Sequence, residues 1–140
     1  MPIIGEVFEK RLPRGTTWDE QAFQFCGFRG MGDGETHISS IFVDCNFDGC
    51  DLYLVLFNIA TFVGVTFKNC TFRGCSFPGC RIVECKFENC RFTVDSFGGD
   101  CRFEDSRWYG CSQSETFGLS PLLATPIEGS GKKKGVKKGR

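Results

Sequence analysis

The side chains with most chemistry to offer in this 140-residue chain are ten cysteines and a single histidine, His37. Clustered thiols can bind a soft metal, form disulfides or act as nucleophiles. Their spacing argues against all three. Cys70, Cys75, Cys80, Cys85 and Cys90 follow one another at intervals of five, with no histidine beside them. A zinc site is expected to show two separated ligand pairs, commonly completed by histidine. Nine of the ten cysteines, from Cys26 to Cys101, are followed two residues later by Phe, Leu or Ile. Cys111, which precedes Gln113, is the exception. On a strand, residues two apart point the same way. The cysteines therefore read as small buried side chains beside a larger apolar one. Thiols so placed are unreactive. His37 lies in an irregular stretch, no cysteine–histidine pair recurs, and no two carboxylates are placed for acid–base work. The expectation is a non-enzyme with no metal and no cofactor.

The larger apolar residue is itself periodic. Phe42, Phe47, Leu52, Phe57, Phe62, Phe67, Phe72, Phe77, Ile82, Phe87, Phe92 and Phe97 recur every fifth position. Five is neither the helical nor the strand period, and a fixed repeat signals a stacked architecture. The aromatic balance agrees, with 16 Phe against 2 Trp and 2 Tyr. Gly49, Gly64, Asn69, Gly74, Gly79 and Asn89 fall between the apolar positions, where a chain must turn.

The units Cys-Asn-Phe-Asp-Gly, Cys-Thr-Phe-Arg-Gly and Cys-Lys-Phe-Glu-Asn resemble the pentapeptide-repeat family, as a variant rich in Phe and Cys. The resemblance implies an all-β fold, a right-handed quadrilateral β-helix with four repeats to the coil. It implies no particular activity, since a fold shared by many proteins does not carry a function. Four stacks follow from it: Phe42, Phe62 and Ile82; Phe47, Phe67 and Phe87; Leu52, Phe72 and Phe92; Phe57, Phe77 and Phe97. Coils would lie about 4.8 Å apart, close enough for offset ring stacking.

Residues 1–17 precede the repeat and are expected to form an N-terminal cap, with Pro13 and Gly15 ending any local strand. The repeat is expected over 18–111. It is irregular over 18–39, where Trp18, Phe23 and Phe28 sketch a first coil and a glycine-rich loop follows from Gly30 to Gly34. It is regular over 40–97, and a one-residue insertion falls near 98–100. Phe103 and Trp108 would resume the first two faces. Asp95 stands where a small inward residue belongs, and a buried Asp there needs backbone N–H partners. Residues 112–129 are expected to cap the last coil, and 130–140 to form a flexible basic tail. Six of the 17 cations lie in Lys132–Arg140, so the remainder is acidic, with 11 cations against 17 acids. Such a tail offers at most weak binding to nucleic acid. The amino terminus lacks a leader pattern, no stretch is long and apolar enough to span a membrane, and so many thiols suit a reducing compartment. A cytoplasmic location is expected.

With its interior filled by side chains, such a solenoid can meet other molecules only on its outside. Val43, Val63 and Val83 should line up there, with Tyr53, Leu54, Leu56 and Ile59 nearby, and with Asp44, Asp48 and Asp51 forming an acidic patch. Exposed apolar residues in this density mark a partner-binding surface, a homodimer interface or ground covered by the caps. The leading expectation is a cytosolic inhibitor of a partner protein, such as an immunity protein against a bacterial toxin. Some members of the family mimic DNA and protect topoisomerases. Here Arg81, Lys86, Arg91, Arg102 and Arg107 interleave with Glu84, Glu88, Glu104 and Asp105, so no continuous acidic stripe is expected.

Overall fold

The computed structural model describes residues 1–32 and 36–128. Each repeat folds as a short strand centred on its large apolar residue, followed by a corner. The strand alternates in exposure, as in Asn46–Asp48, with Phe47 buried between two exposed neighbours. The corner is made by the second residue after the apolar one, which adopts a left-handed backbone. Gly49, Gly64, Asn69, Gly74, Gly79 and Asn89 all have φ between 53° and 68°. At this position Gly, with no Cβ, avoids the clash that other residues meet, and Asn tolerates the conformation because its short polar side chain can hydrogen-bond locally.

Four strands and four corners make one coil, and the coils stack into four parallel sheets. The first face holds Ile3–Ile4, Ala22–Gln24, Ile41–Val43, Thr61–Val63, Arg81–Val83 and Arg107–Tyr109. The second holds Val7–Glu9, Gly27–Arg29, Asn46–Asp48, Thr66–Lys68, Lys86–Glu88, Ser112–Ser114 and Thr125–Pro126. The third holds Asp51–Tyr53, Thr71–Arg73 and Arg91–Thr93. The fourth holds His37–Ile38 and Leu56–Phe57, continued by single bridges to Ser76 and Arg102. The molecule is an all-β, four-faced β-helix.

The core is a set of aromatic columns. Along the second face Phe28, Phe47, Phe67 and Phe87 stack in turn, with centroids 4.6, 5.0 and 4.8 Å apart. Phe72 and Phe92 stack at 4.4 Å on the third face, and Phe57 and Phe77 at 4.8 Å on the fourth. Across a corner the rings meet edge to face, as Phe42 and Phe47 do at 65°. Both geometries favour the aromatic quadrupole. Each buried Phe contributes roughly 1.5–3 kcal/mol. The cysteines fill the space beside the rings, and their thiols also donate to carbonyls of the coil before. Cys45 Sγ lies 3.4 Å from Phe23 O, and Cys90 Sγ lies 3.2 Å from Phe67 O.

The structure revises several register expectations. The coil begins before residue 18: Ile3 pairs with Phe23 and Phe8 with Phe28, so the amino-terminal segment already supplies two faces. Both residues fall in phase with the repeat, which is all that parallel pairing requires. Trp18 closes that first turn on the fourth face, where its carbonyl accepts from Ser39 N at 3.0 Å. The short step from Ile38 to Phe42 is a corner lacking one residue; Ser40 turns inward there and its hydroxyl donates to Trp18 O at 2.6 Å.

The largest revision concerns Phe97, expected inside the fourth face. It is 90% exposed, and Phe103 stacks on Phe77 in its place, at 5.3 Å. The insertion is therefore longer than one residue and begins earlier. Thr61 pairs with Arg81, 20 residues on, whereas Arg81 pairs with Arg107, 26 residues on. The six extra residues are Asp95 to Asp100. Phe103 consequently resumes the fourth face, Trp108 the first and Gln113 the second. Gln113 is buried where a Phe would stand. Its amide donates to Leu119 O at 2.9 Å and Ala124 O at 2.8 Å, which pins residues 119–124 across the last coil. Gly30, Met31 and Gly32 of the glycine-rich loop are described, with Met31 buried; Asp33 and Gly34 lie outside the described residues, as do 129–140 with the basic tail.

Candidate functional site: an apolar corner and a clamped loop

The predicted surface residues separate into two groups. Val43, Val63 and Val83 pair in register and form a half-buried ladder on the outside of the first face. Ile4 and Gln24 extend it one way and Tyr109 the other. Tyr53, Leu54, Leu56 and Ile59 lie elsewhere, around the fourth face and the corners at its two ends. Leu56 is 37% exposed and Ile59 68%. Leu54 and Ile59 both occupy left-handed corners, at φ 56° and 57°. One coil later the same two corners carry Gly74 and Gly79. Ile59, being β-branched, is an outlier in this region, and strain of order 1–2 kcal/mol accompanies such a backbone.

The three predicted acids fall at successive places around the solenoid. Asp44 sits at the first corner, Asp48 on the second face and Asp51 on the third. Asp51 is bound by the guanidinium of Arg73, whose Nε lies 3.2 Å from Oδ1. Asp48 accepts from Asn69 Nδ2 at 3.3 Å. On the second face Glu9, Arg29, Asp48, Lys68 and Glu88 are paired in succession, so charge alternates rung by rung. Alternating exposed charges relieve like-charge contact along the stack and add little stability each.

The six-residue insertion leaves the coil at the corner between the third and fourth faces. It is held there by several contacts. Asp95 Oδ1 accepts from Phe97 N at 2.7 Å and Gly99 N at 3.0 Å, and Asp95 N donates to Gly99 O at 2.9 Å. Asp95 is thus half-buried and hydrogen-bonded by backbone N–H groups. The loop leans back along the solenoid, where Ser96 N donates to Tyr53 Oη at 3.0 Å. Beneath it, Gly74 leaves room: a Cβ at Gly74 would come within 2.8 Å of Asp95. Tyr53 and Leu54, two coils below, therefore share a corner column with Val94 and the loop.

Phe97 and Phe25 are two exposed aromatic residues that the sequence reading missed, and Phe117 and Tyr109 are exposed as well. Phe25 is 63% exposed at a left-handed corner, beside Val7 in a groove left open by Gly27. Its offset from the five-residue register was a usable signal. For Phe97 the signal was Asp95, a carboxylate where the repeat needs a small apolar residue.

Residues 57–93 match the family model of pentapeptide repeats, with 8 copies. Residues 57–93 are thus pentapeptide repeats, set within the four-faced β-helix. The pentapeptide repeat protein Rfr23 from the cyanobacterium Cyanothece 51142 has a similar structure. Its TM-score is 0.60 at 11% identity, over 82% of this chain and 87% of that one. At this identity the likeness is one of fold. Full-length QnrB1, a plasmid-mediated fluoroquinolone resistance protein, aligns over 99% of this chain and 91% of its own, with a TM-score of 0.25 and 13% identity. No curated protein sequence matches the chain.

The ten thiols are all free of disulfides. Burial pushes Cys45 and Cys80 up to about 11. Cys101, at the root of the inserted loop, is the one thiol of the ten that is not fully buried. A hydrogen bond from the Cys75 thiol outweighs its own burial and lowers it to about 7. Among the described residues no three His, Cys, Asp or Glu side chains gather as a metal site.

Proposed function

We propose that the chain is a non-enzymatic protein-binding module of the inhibitor or immunity type. It neutralises a partner protein, such as a bacterial toxin, by lying against it with the outside of the solenoid. The observation that supports this most is the pair Leu54 and Ile59. Both keep an apolar side chain at a strained, outward corner that the neighbouring coil makes with glycine. Ile59 keeps 68% of its surface in water there and Leu54 is half-exposed, and strain held at the surface is a pointer to function. The valine ladder of the first face supplies further apolar area. A reducing, cytoplasmic setting belongs to the same proposal, supported by ten unpaired thiols.

The test is capture from native lysate with mass spectrometry, comparing the wild type with Ile59→Gly and Val63→Glu. Retention of one protein by the wild type, lost in at least one variant that still melts normally, supports the proposal. Equal capture by all three contradicts it. If sedimentation instead shows a dimer that Val63→Glu dissociates, the ladder is a self-association surface. Protection of gyrase supercoiling from a quinolone would replace the inhibitor proposal with topoisomerase protection, which the alternating charges of the second face disfavour.

A further inference from the structure

We infer that the loop from Asp95 to Asp100 is a preformed anchor that places the Phe97 ring in an apolar pocket of a partner protein, with basic groups around the pocket's rim. This deepens the proposal of a protein-binding module and rests on it. The repeat holds its register from Phe42 to Phe92 and is then broken by six residues, which leave the core stack intact because Phe103 takes the vacant place. The insertion is thus dispensable for packing. Its conformation is nonetheless fixed at three points: by the carboxylate of Asp95 on two backbone N–H groups, by Tyr53 Oη, and by the space above Gly74. What this fixed loop carries is a phenylalanine with 90% of its surface in water.

An aromatic side chain held rigidly before binding loses little entropy on docking, and single buried aromatics dominate many interfaces. A lone ring on a tight turn suits a concave pocket better than a flat face. Val94, 42% exposed, stands at the root of the loop and adds apolar surface at the same corner. The loop carries Asp95 and Asp100 and no cation, which favours a basic rim and disfavours an anionic lipid surface. A second copy of the chain is a poor host. Its own apolar cavity, of about 460 Å³ between Phe117, Leu119, Pro121 and Ile127, has Glu115 in its lining, the wrong sign for this loop.

The experiment is photocrosslinking with the full chain, carrying benzoylphenylalanine at position 97, in native lysate. The expected result is one dominant adduct to a different protein. It should fall at least tenfold in the Asp95→Ala variant, which frees the loop, and persist in Leu122→Ser, which alters an exposed residue at the far end. Adducts only to a second copy, no specific adduct, or an adduct indifferent to Asp95→Ala would each overturn the inference. Phe97→Ser separates the two levels. Its melting temperature should match the wild type, and it should lose the captured partner. If it keeps the partner while Ile59→Gly loses it, the anchor is wrong and the binding module stands.

Discussion

Phe92 and Phe97 lie five residues apart, in the same apparent register, and meet opposite fates. Phe92 stacks on Phe72 and is 7% exposed, while Phe97 is 90% exposed. The residue two positions earlier decides between them. Before Phe92 stands Cys90, whose thiol enters the core and reaches Phe67 O at 3.2 Å. Before Phe97 stands Asp95, whose carboxylate would face desolvation if it followed the same path. The chain leaves the coil instead, and the carboxylate finds N–H partners within its own loop. Between these two repeats the difference lies in the residue before the ring and not in the ring itself.

That contrast can be broken at several points. On the regular side, Phe72→Ala should cost roughly 3–5 kcal/mol in equilibrium unfolding, because its ring is buried between its column neighbours. A loss under about 1 kcal/mol would mean the columns relax freely. Gly74→Ala tests the junction between coil and loop. A Cβ there meets both a left-handed backbone and Asp95, so a cost of about 1–3 kcal/mol is expected, read by thermal melting. Asp95→Ala should cost about 1 kcal/mol or less, yet speed hydrogen exchange at the amides of Phe97 and Gly99. Unchanged exchange would show that the carboxylate does not hold the loop.

The smallest effect leaves stability untouched and concerns reactivity. Cys101 should be alkylated first under native conditions, at a rate that rises as pH passes about 7 and its thiol ionises. Cys45 and Cys80, buried and shifted upward to about 11, should resist until the chain unfolds. Uniform labelling of all ten would contradict the burial pattern.

The fold was legible in the sequence because its signal is repeated. The five-residue spacing from Phe42 to Phe92, the small residue before each ring, and Gly or Asn at the corners each state the same geometry many times. Ile3 and Phe8 were missed because two isolated residues show no period, although they sit in phase with Phe23 and Phe28. Gln113 was missed because an amide inside an aromatic column is justified only by the Leu119 and Ala124 carbonyls it binds. The candidate surface was only partly legible. Spacing lines up Val43, Val63 and Val83, but the distribution of Asp44, Asp48 and Asp51 over separate faces depends on where each corner falls. The inserted loop was hidden by coincidence: Phe97 continues the count of five after the coil has ended.

The most direct measurement is fluorine NMR of the chain labelled at phenylalanine, with a soluble paramagnetic agent in the buffer. The Phe97 resonance should broaden most, followed by Phe117 and Phe25, which are 69% and 63% exposed, while Phe72, Phe77 and Phe92 stay sharp. A sharp Phe97 beside a broadened Phe77 or Phe92 would contradict both the inward columns and the outward loop.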